Sequence, residues 1–379
     1  MNFQLTEEQE LIRRNAREFA ERHVAPVAAA VDEKAFHPRE LFAELGAGGW
    51  LGIPLPERYG GSGADLLTHA VVVEEISRAC SATGFTLSFH AGIIGMSLHI
   101  FGTEAQKERY LVPLAQGRHM GAFSLTEPGA GTDVMAVATT AVRDGGYYVL
   151  NGTKTFVSNG PFADTYIFFC WTDRAAGKKG MSAFIVSKGA QGLQPGEPFH
   201  KMGLRGSQTS EVVLRDCRVP EENMLGAPGQ GLPIAMQGFE HGRVGIAAQA
   251  TGILQAALDE SLRYAKERVQ FGVPIARHQA IAWMIADMDA DLAAARLLTY
   301  QAAWLKDRQL PFGKAASIAK LFATEAAMRH TVKAVQIQGG YGYIKGAKVE
   351  RLMRDAKIAE IYEGTSEAQR LVISGSLLR

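Results

Sequence analysis

A single carboxylate, Glu363, stands in the stretch AEIYEGTSEAQR, directly before a Gly-Thr-Ser sequence that favours a break in a helix. The residues before it close one apolar-patterned segment, and a second helical segment resumes at Glu367. Glu363 is therefore predicted to lie in a short connection between two helices. It is either a solvated turn residue or a general base on a rigid bend, since a carboxylate removes protons well when burial raises its pKa.

A second set of residues with chemical potential lies in the segment FSLTEPGAGTDV. Gly129 and Gly131 could expose consecutive backbone amides to a phosphate group. The alternative interpretation is an ordinary glycine-rich turn. The hydroxyls that could meet a diphosphate or a heteroaromatic edge are those of Ser124, Thr126 and Thr132.

The segment TKTFVSNG places Phe156 and Ser158 on one face of a predicted strand, because strand side chains alternate with a period of two. An aromatic wall and a hydroxyl in this arrangement could flank a planar ring. The alternative is a phenylalanine of the core. No G-x-G-x-x-G follows a strand pattern and no P-loop motif occurs, so a Rossmann or P-loop nucleotide site is not expected.

Composition limits the classes of function. The chain has 379 residues, of which 47% are apolar, enough for a large core. Its 40 basic and 39 acidic residues nearly balance, so nothing favours nucleic acid as a partner. The three cysteines are far apart and form no metal-binding pattern, which indicates a reducing compartment and no metal site.

The N-terminal sequence MNFQLTEEQELIRRNAREF is charged and amphipathic, without the apolar centre of a signal peptide. We also expect no apolar run of about 18 residues that could cross a membrane. Together these observations predict a cytoplasmic protein without a membrane partner.

Three regions are predicted to position these residues, giving an α+β fold. Residues 1–117 have helical periodicity and begin with a capping box at Thr6 and Gln9. Residues 118–225 carry one Asp-Gly-Gly and two Asn-Gly turn signals between short alternating runs, which predicts a β-barrel or sandwich. Residues 226–379 hold long amphipathic patterns typical of a four-helix bundle.

Three long motifs in this order resemble the acyl-CoA dehydrogenase family, and particularly its short-chain, butyryl-CoA dehydrogenase-like members. They are FSLTEPGAGTDV, YAKERVQFGVPIARHQAI and LMRDAKIAEIYEGTSEAQRLVI, and KMGLRGSQTSEVVLRDCRVPEENMLG extends the similarity. The resemblance implies a helical N-terminal domain, a β middle domain and a C-terminal helical bundle. It further implies bound FAD, an acyl-CoA substrate, a homotetramer and electron transfer to an electron-transferring flavoprotein.

The resemblance also assigns roles by motif. FAD contacts within one chain would be Phe123, Ser124, Leu125, Thr126, Gly131, Thr132, Phe156, Val157, Ser158, Thr365 and Glu367. Contacts given to the FAD of a neighbouring subunit would be Arg268, Gln279 and residues from the run Gln336 to Gly340, including Gly339. Acyl-CoA contacts would be Thr132, Glu240, Arg243 and Gly364.

Three positions depart from the usual family residues while keeping their chemical type. Phe156 stands where tryptophan is usual, Ser158 where threonine is common, and Glu240 where aspartate is common. These differences bear on specificity more than on activity.

In the mechanism that the resemblance implies, Glu363 removes the α-proton of the thioester and flavin N5 takes the hydride from Cβ, which yields a trans-2-enoyl-CoA. The Glu363 N–H and a ribityl hydroxyl of FAD would polarise the thioester carbonyl. Ile361 and Tyr362 are expected to raise the pKa of the base by excluding water. Some family members place the base immediately before the arginine matching Arg243, but here that position is Gly242. By helix spacing, Glu240 shares a face with Arg243 at i, i+3, so it would either form an ion pair with Arg243 or orient the substrate or Arg243.

Alternatives on the same scaffold are a flavin-dependent acyl-CoA oxidase or monooxygenase. Monooxygenase relatives often lack the base, and oxidases are usually longer than this chain. A DNA-associated relative would be expected to carry an added basic domain. The motifs favour a short or branched acyl group, whereas spacing alone leaves the chain length open.

Overall fold

The computed structural model describes residues 4–36 and 38–378. Its N-terminal region is helical, and the Thr6 capping box is confirmed: Thr6 Oγ1 accepts from the Gln9 amide at 3.2 Å while Gln9 Oε1 accepts from the Thr6 amide at 3.0 Å. The helices are α1 (Glu7–Phe19), α2 (Ala28–Lys34), α3 (Arg39–Ala47), α4 (Leu66–Ala79), α5 (Ser81–Ser88), α6 (Met96–Phe101), α7 (Glu104–Gln106) and α8 (Val112–Ala115).

A π-helical segment, Phe89–Gly95, joins α5 to α6 into one apolar run. By length and composition this run, Ser81–Phe101, could cross a membrane, so the expectation that no such segment exists was wrong. However, 83% of its apolar window is buried inside the protein, as in the core helix of a folded domain.

The middle region forms an eight-stranded mixed sheet in which most neighbours are antiparallel. Along the sheet the order is β6-β7-β3-β2-β4-β5-β8, and β1 pairs parallel with β4. The strands are β1 (Gly121–Ser124), β2 (Thr140–Asp144), β3 (Tyr147–Ser158), β4 (Thr165–Trp171), β5 (Met181–Ser187), β6 (Leu193–Pro195), β7 (Thr209–Pro220) and β8 (Met224–Leu225).

The turn signals of this region have different outcomes. The Asp-Gly-Gly signal does connect β2 to β3 as a hairpin, with Asp144 opposite Tyr147. The hairpin turn expected at Asn151 and Gly152 was wrong, because these residues lie inside β3, where the register with β7 shifts. A Cβ at Gly152 would lie 2.2 Å from Thr139 Oγ1, so this glycine permits a close backbone approach within the sheet.

Long helices return in the C-terminal region, as the periodicity predicted. They are α9 (Gly231–Glu267), α10 (Gln279–Asp307), α11 (Gly313–Gln338), α12 (Gly340–Tyr343), α13 (Lys348–Ala359) and α14 (Ser366–Leu377), with a small β9–β10 hairpin (Val269–Gln270 and Val273–Pro274) after α9. Helix α9 is the central element, since it packs against α4, α10 and α11 and is buried over most of its length.

Candidate active site

The connection between α13 and α14 is a strained bend that carries Glu363. Glu363 has φ 51° and Gly364 has φ 93°, both in the left-handed region. That conformation is natural for glycine but unfavourable for glutamate, and such outliers concentrate at functional sites. Thr365 then caps α14, since its Oγ1 accepts a hydrogen bond from the Ala368 amide at 3.2 Å. Glu363 therefore occupies the rigid bend that the sequence pattern suggested.

Two side chains that the sequence analysis did not single out hold the carbonyl groups of this bend. Lys320 on α11 donates from Nζ to the Gly364 oxygen at 2.7 Å. Gln369 on α14 donates from Nε2 to the same oxygen at 2.8 Å and to the Glu363 oxygen at 3.3 Å. The signal for Lys320 was a lysine on the alanine-rich face of α11, where it is fully buried.

The Glu363 carboxylate is closed off from solvent, although the residue as a whole keeps some exposure. Both oxygens lack a hydrogen-bond partner among the described residues. Burial raises the pKa of Glu363 to about 8, against the charges of Lys320 and Arg243, which lower it. A buried carboxyl without partners is costly, so it indicates a group kept ready for an incoming ligand.

Helix α9 makes room for this carboxylate at Gly242. A Cβ at Gly242 would lie 2.2 Å from Glu363 Oε2 and 2.6 Å from Ile93 Cδ1. The apolar surroundings of the base therefore include Ile93. Of the neighbours expected from the sequence, Tyr362 stacks on Phe85 with ring centroids 5.0 Å apart, but Ile361 is 48% exposed and does not shield the base as expected.

The backbone N–H of Glu363 has no acceptor within the described residues. The preceding amide, that of Tyr362, still bonds to the Ile358 oxygen at 3.0 Å. Helical bonding thus ends one residue before the carboxylate. The free N–H is available to a ligand that lies beside the base.

Of the two roles left open for Glu240, the ion pair with Arg243 does not form among the described residues, and the orienting role stays a prediction. The Arg243 guanidinium is buried and its Nη1 lies 3.4 Å from Ser317 Oγ on α11, while its Nε has no partner. Glu240 is directed toward the start of α11, since a Cβ at Gly313 would lie 2.5 Å from Glu240 Oε1. Burial raises the pKa of Glu240, and the charge of Arg243 opposes that rise.

The segment that follows β1 forms an open cradle. No described atom lies within 4 Å of a Cβ placed at Gly129 or at Gly131, so their backbone is free to approach a bulky anion. The buried Ser124 Oγ has no partner among the described residues. These features fit a phosphate-bearing cofactor with a polar ring edge, which is the chemistry expected of FAD.

A buried ion pair that the sequence analysis missed anchors this cradle to the sheet. Lys154 Nζ lies 2.8 Å from Glu127 Oε1 and donates to the Leu125 oxygen at 3.2 Å. The Glu127 carboxylate also accepts from the Ala138 and Thr139 amides. Leu125 is itself buried, whereas Thr126 is partly buried and Thr132 is exposed.

Phe156 is not a core residue, so the alternative of a core phenylalanine is excluded. It is 67% exposed with φ 53°, and its ring centroid is 5.6 Å from that of Phe199. The next residue, Val157, is 1% exposed, and Ser158 is partly buried at the end of β3. An exposed ring held by a strained backbone is suited to cover one face of a planar ligand.

The cradle and the base meet on one face of α9. The Phe123 ring packs against α9 at Gly238, where a Cβ would lie 3.4 Å from Phe123 Cζ. Gly238 and Gly242 are one turn apart on the same helix face, with a rise of about 6 Å between them. The predicted flavin segment and Glu363 are therefore neighbours.

The second group of predicted FAD contacts lies elsewhere. Arg268 follows the end of α9, about 39 Å along that helix from Gly242 at 1.5 Å per residue. It lines an open pocket together with Gly339 and Gly340, and its guanidinium lies 5.9 Å from the Tyr341 ring centroid. Gln279, at the start of α10, and Gln336, on α11, are exposed but do not line this pocket, and Glu367 is exposed on the first turn of α14.

Comparison with known proteins agrees with this three-region architecture. Models of the acyl-CoA dehydrogenase N-terminal, middle and C-terminal domains match residues 6–118, 122–217 and 229–378. The short-chain specific acyl-CoA dehydrogenase of Clostridium acetobutylicum is 52% identical over the whole of both chains.

Solved structures show the same fold. Butyryl-CoA dehydrogenase from Megasphaera elsdenii superimposes with a TM-score of 0.98 at 45% identity and covers both chains fully. A chain from a study of the electron transferring flavoprotein of Acidaminococcus fermentans gives a TM-score of 0.99 at 48% identity, also over both full chains.

The fold and the buried carboxylate beside an open cradle define an oxidoreductase of the flavoprotein class. The chain belongs to the acyl-CoA dehydrogenase family. The expected α+β fold is confirmed, with helical N- and C-terminal regions and a mixed sheet between them. The boundaries placed at 117/118 and 225/226, and the individual cofactor and substrate contacts, stay predictions.

Proposed function

We propose that this protein catalyses the FAD-dependent α,β-dehydrogenation of a short acyl-CoA thioester to a trans-2-enoyl-CoA, with Glu363 as the general base. The observation that carries the proposal is the Glu363 carboxylate, which is closed to solvent and unpartnered on a strained bend beside the cradle. The short acyl chain is supported by the short-chain and butyryl-CoA relatives.

The residues of the bend perform two tasks at the thioester. The free N–H of Glu363 donates to the thioester carbonyl as negative charge develops on its oxygen. The carboxylate takes the α-proton, and its raised pKa brings its basicity closer to that of the carbon acid. Apolar neighbours such as Ile93 exclude the water that would compete for the carboxylate.

The cradle residues and Phe156 would hold FAD, which when bound supplies the acceptor for the hydride leaving Cβ. Gly129 and Gly131 present open backbone to the diphosphate, and Ser124 Oγ offers an unused hydrogen-bonding group. Phe156 would cover the ring system. With FAD bound, the substrate would lose a proton to Glu363 and a hydride to the cofactor, which balances the formation of the double bond.

We also propose that a neighbouring copy completes the FAD site and that the protein is a homotetramer. Arg268 and the Gly339–Gly340 pocket lie about 39 Å along α9 from Gly242, so another subunit would have to bring these residues to the cofactor. An electron-transferring flavoprotein is the proposed electron acceptor, in keeping with the flavoprotein study of the Acidaminococcus relative. The cytoplasm is the proposed location.

The test compares Glu363→Gln with Glu240→Gln, a second partly buried glutamate close to the same site. Anaerobic stopped-flow absorbance follows flavin bleaching by a panel of acyl-CoAs of different length and branching. In Glu363→Gln, the loss of the positioned general base should slow flavin bleaching at least about 10²-fold. Glu240→Gln should mainly weaken substrate binding.

In the wild-type protein, bleaching should accelerate as the pH rises through about 8, because only the ionised carboxylate accepts a proton. A Glu363→Gln protein that bleaches at the wild-type rate would refute the assignment of the base. A purified protein that takes up no FAD would refute the proposed function as a whole.

A further inference from the structure

Lys320 is a fully buried lysine at the site of the proposed base. Its side chain makes one hydrogen bond among the described residues, the 2.7 Å contact from Nζ to the Gly364 oxygen. An ammonium group has three protons to donate, and burying it with a single acceptor is expensive. Such a residue is retained only if its charge is balanced nearby or serves a function.

The charges around Lys320 come from several elements. Glu363 on the bend, Glu360 before the bend and Glu367 on α14 favour its charged form, whereas Arg243 on α9 opposes it. Burial is the largest influence and lowers the pKa of Lys320 to about 8. Glu363 is the acid that acts most strongly on it, so the two groups are electrostatically coupled.

The Glu363 carboxylate is faced by two cations, from two different helices. Lys320 approaches from α11 and Arg243 from α9, and Lys320 is the stronger influence. Arg243 also contacts Ser317, one turn before Lys320 on α11. Of these two cations, Lys320 also donates a hydrogen bond to the bend, at the Gly364 oxygen.

We propose that Lys320 is a positioning residue for the base: its hydrogen bond to Gly364 fixes the strained bend, and its charge favours the ionised form of Glu363 in a site closed to water. This inference rests on the proposed function, since it assumes that Glu363 acts as the base. It assigns Lys320 two separable effects, one geometric and one electrostatic.

Gln369 offers a matched control for the geometric effect. Its Nε2 donates to the same Gly364 oxygen at 2.8 Å but carries no charge. Removing Gln369 perturbs the bend and leaves the electrostatics of Glu363 in place. Removing Lys320 perturbs the bend and also removes a positive charge that acts on Glu363.

The experiment measures the pH dependence of flavin bleaching in Lys320→Met, Gln369→Leu and wild-type holoenzyme. The charge of Lys320 lowers the pKa of Glu363, so Lys320→Met should move the midpoint of the pH profile to higher pH. Gln369→Leu should lower the rate at all pH values without moving the midpoint. A Lys320→Met protein that is slower but has the wild-type midpoint would refute the electrostatic role.

A second readout does not depend on turnover. Infrared difference spectra of the ligand-free protein should show a protonated carboxyl band that is missing in Glu363→Gln. In Lys320→Met this band should persist to higher pH than in the wild type. An unchanged titration of the band would contradict the proposal even if activity were lost.

Two further proteins separate the possible failures. If Glu363→Gln bleaches normally, the proposed function has failed; if it is inactive and Lys320→Met keeps the wild-type midpoint, only the inference on Lys320 has failed. Should Lys320→Met lose its fold at pH values where Glu363 is ionised, the double variant with Glu363→Gln should regain it there, because the buried negative charge is then gone. A double variant that stays unfolded, or shows purely additive losses of thermal stability, would oppose the proposed coupling.

Discussion

Gly242 gives the sharpest prediction, because this position has room only for hydrogen. In Gly242→Ala the new Cβ would lie 2.2 Å from Glu363 Oε2, 2.6 Å from Ile93 Cδ1 and 2.9 Å from Ile93 Cγ1. Restoring an ordinary contact of 3.4 Å requires the carboxylate to retreat by about 1.2 Å. Ile93 is fully buried, so it yields less readily than the carboxylate.

Two consequences of Gly242→Ala can be measured separately. Overpacking a close-packed interior costs about 1–3 kcal/mol of stability, which thermal unfolding reports. A catalytic group displaced by about 1 Å can lose about 10²-fold in rate, which stopped-flow bleaching reports. FAD content should remain at the wild-type level, since the cradle residues are not touched.

Gly245→Ala is the matched control on the same helix. Its Cβ would lie 1.9 Å from Ser88 Oγ, so it also overpacks the interior but does not press on Glu363. Both variants should lose stability. Only Gly242→Ala should also show a slower rate of proton abstraction, measured as flavin bleaching, than its loss of stability explains. Wild-type bleaching by Gly242→Ala, or an equal loss in Gly245→Ala, would show that the space at Gly242 does not position the base.

Two further predictions concern the cofactor and the pH dependence of stability. Arg268→Ala should release FAD more readily, because a guanidinium suits a diphosphate. Flavin absorbance per subunit measures the FAD content, and light scattering measures the oligomeric state. An active, FAD-loaded monomer would contradict the proposal that two subunits share each FAD site. Folding raises the pKa of Glu363 from 4.5 to about 8, so its contribution to stability is complete below pH 4.5 and is lost as the pH rises through about 8. The melting temperature of Glu363→Gln should therefore improve relative to the wild type as the pH rises through this window, and a difference that stays constant with pH would contradict the buried carboxyl.

Short-range features of this protein follow from the sequence. The capping box at Thr6 forms as its spacing predicts, because it depends on four consecutive residues. The same holds for the hairpin at Asp144 and for the break that carries Glu363. At these positions the local conformational preferences agree with the tertiary structure.

One local signal was overruled by its surroundings. Asn151 and Gly152 have the composition of a hairpin turn, but they continue a strand because β7 supplies hydrogen bonds on one side and Thr139 packs closely on the other. Pairing across a sheet joins distant residues, so a dipeptide preference cannot decide it.

The environment of the base was decided by tertiary structure alone. The sequence identified Glu363, yet the contact between Lys320 and Gly364, which are 44 positions apart, does not follow from any local pattern, and neither does the space at Gly242. A buried lysine on α11 and a glycine on α9 acquire their roles only when both helices pack against the bend. The physical reason is that the pKa and position of a buried carboxylate depend on which charges and atoms lie within a few ångströms, and that is set by helix packing rather than by spacing along the chain.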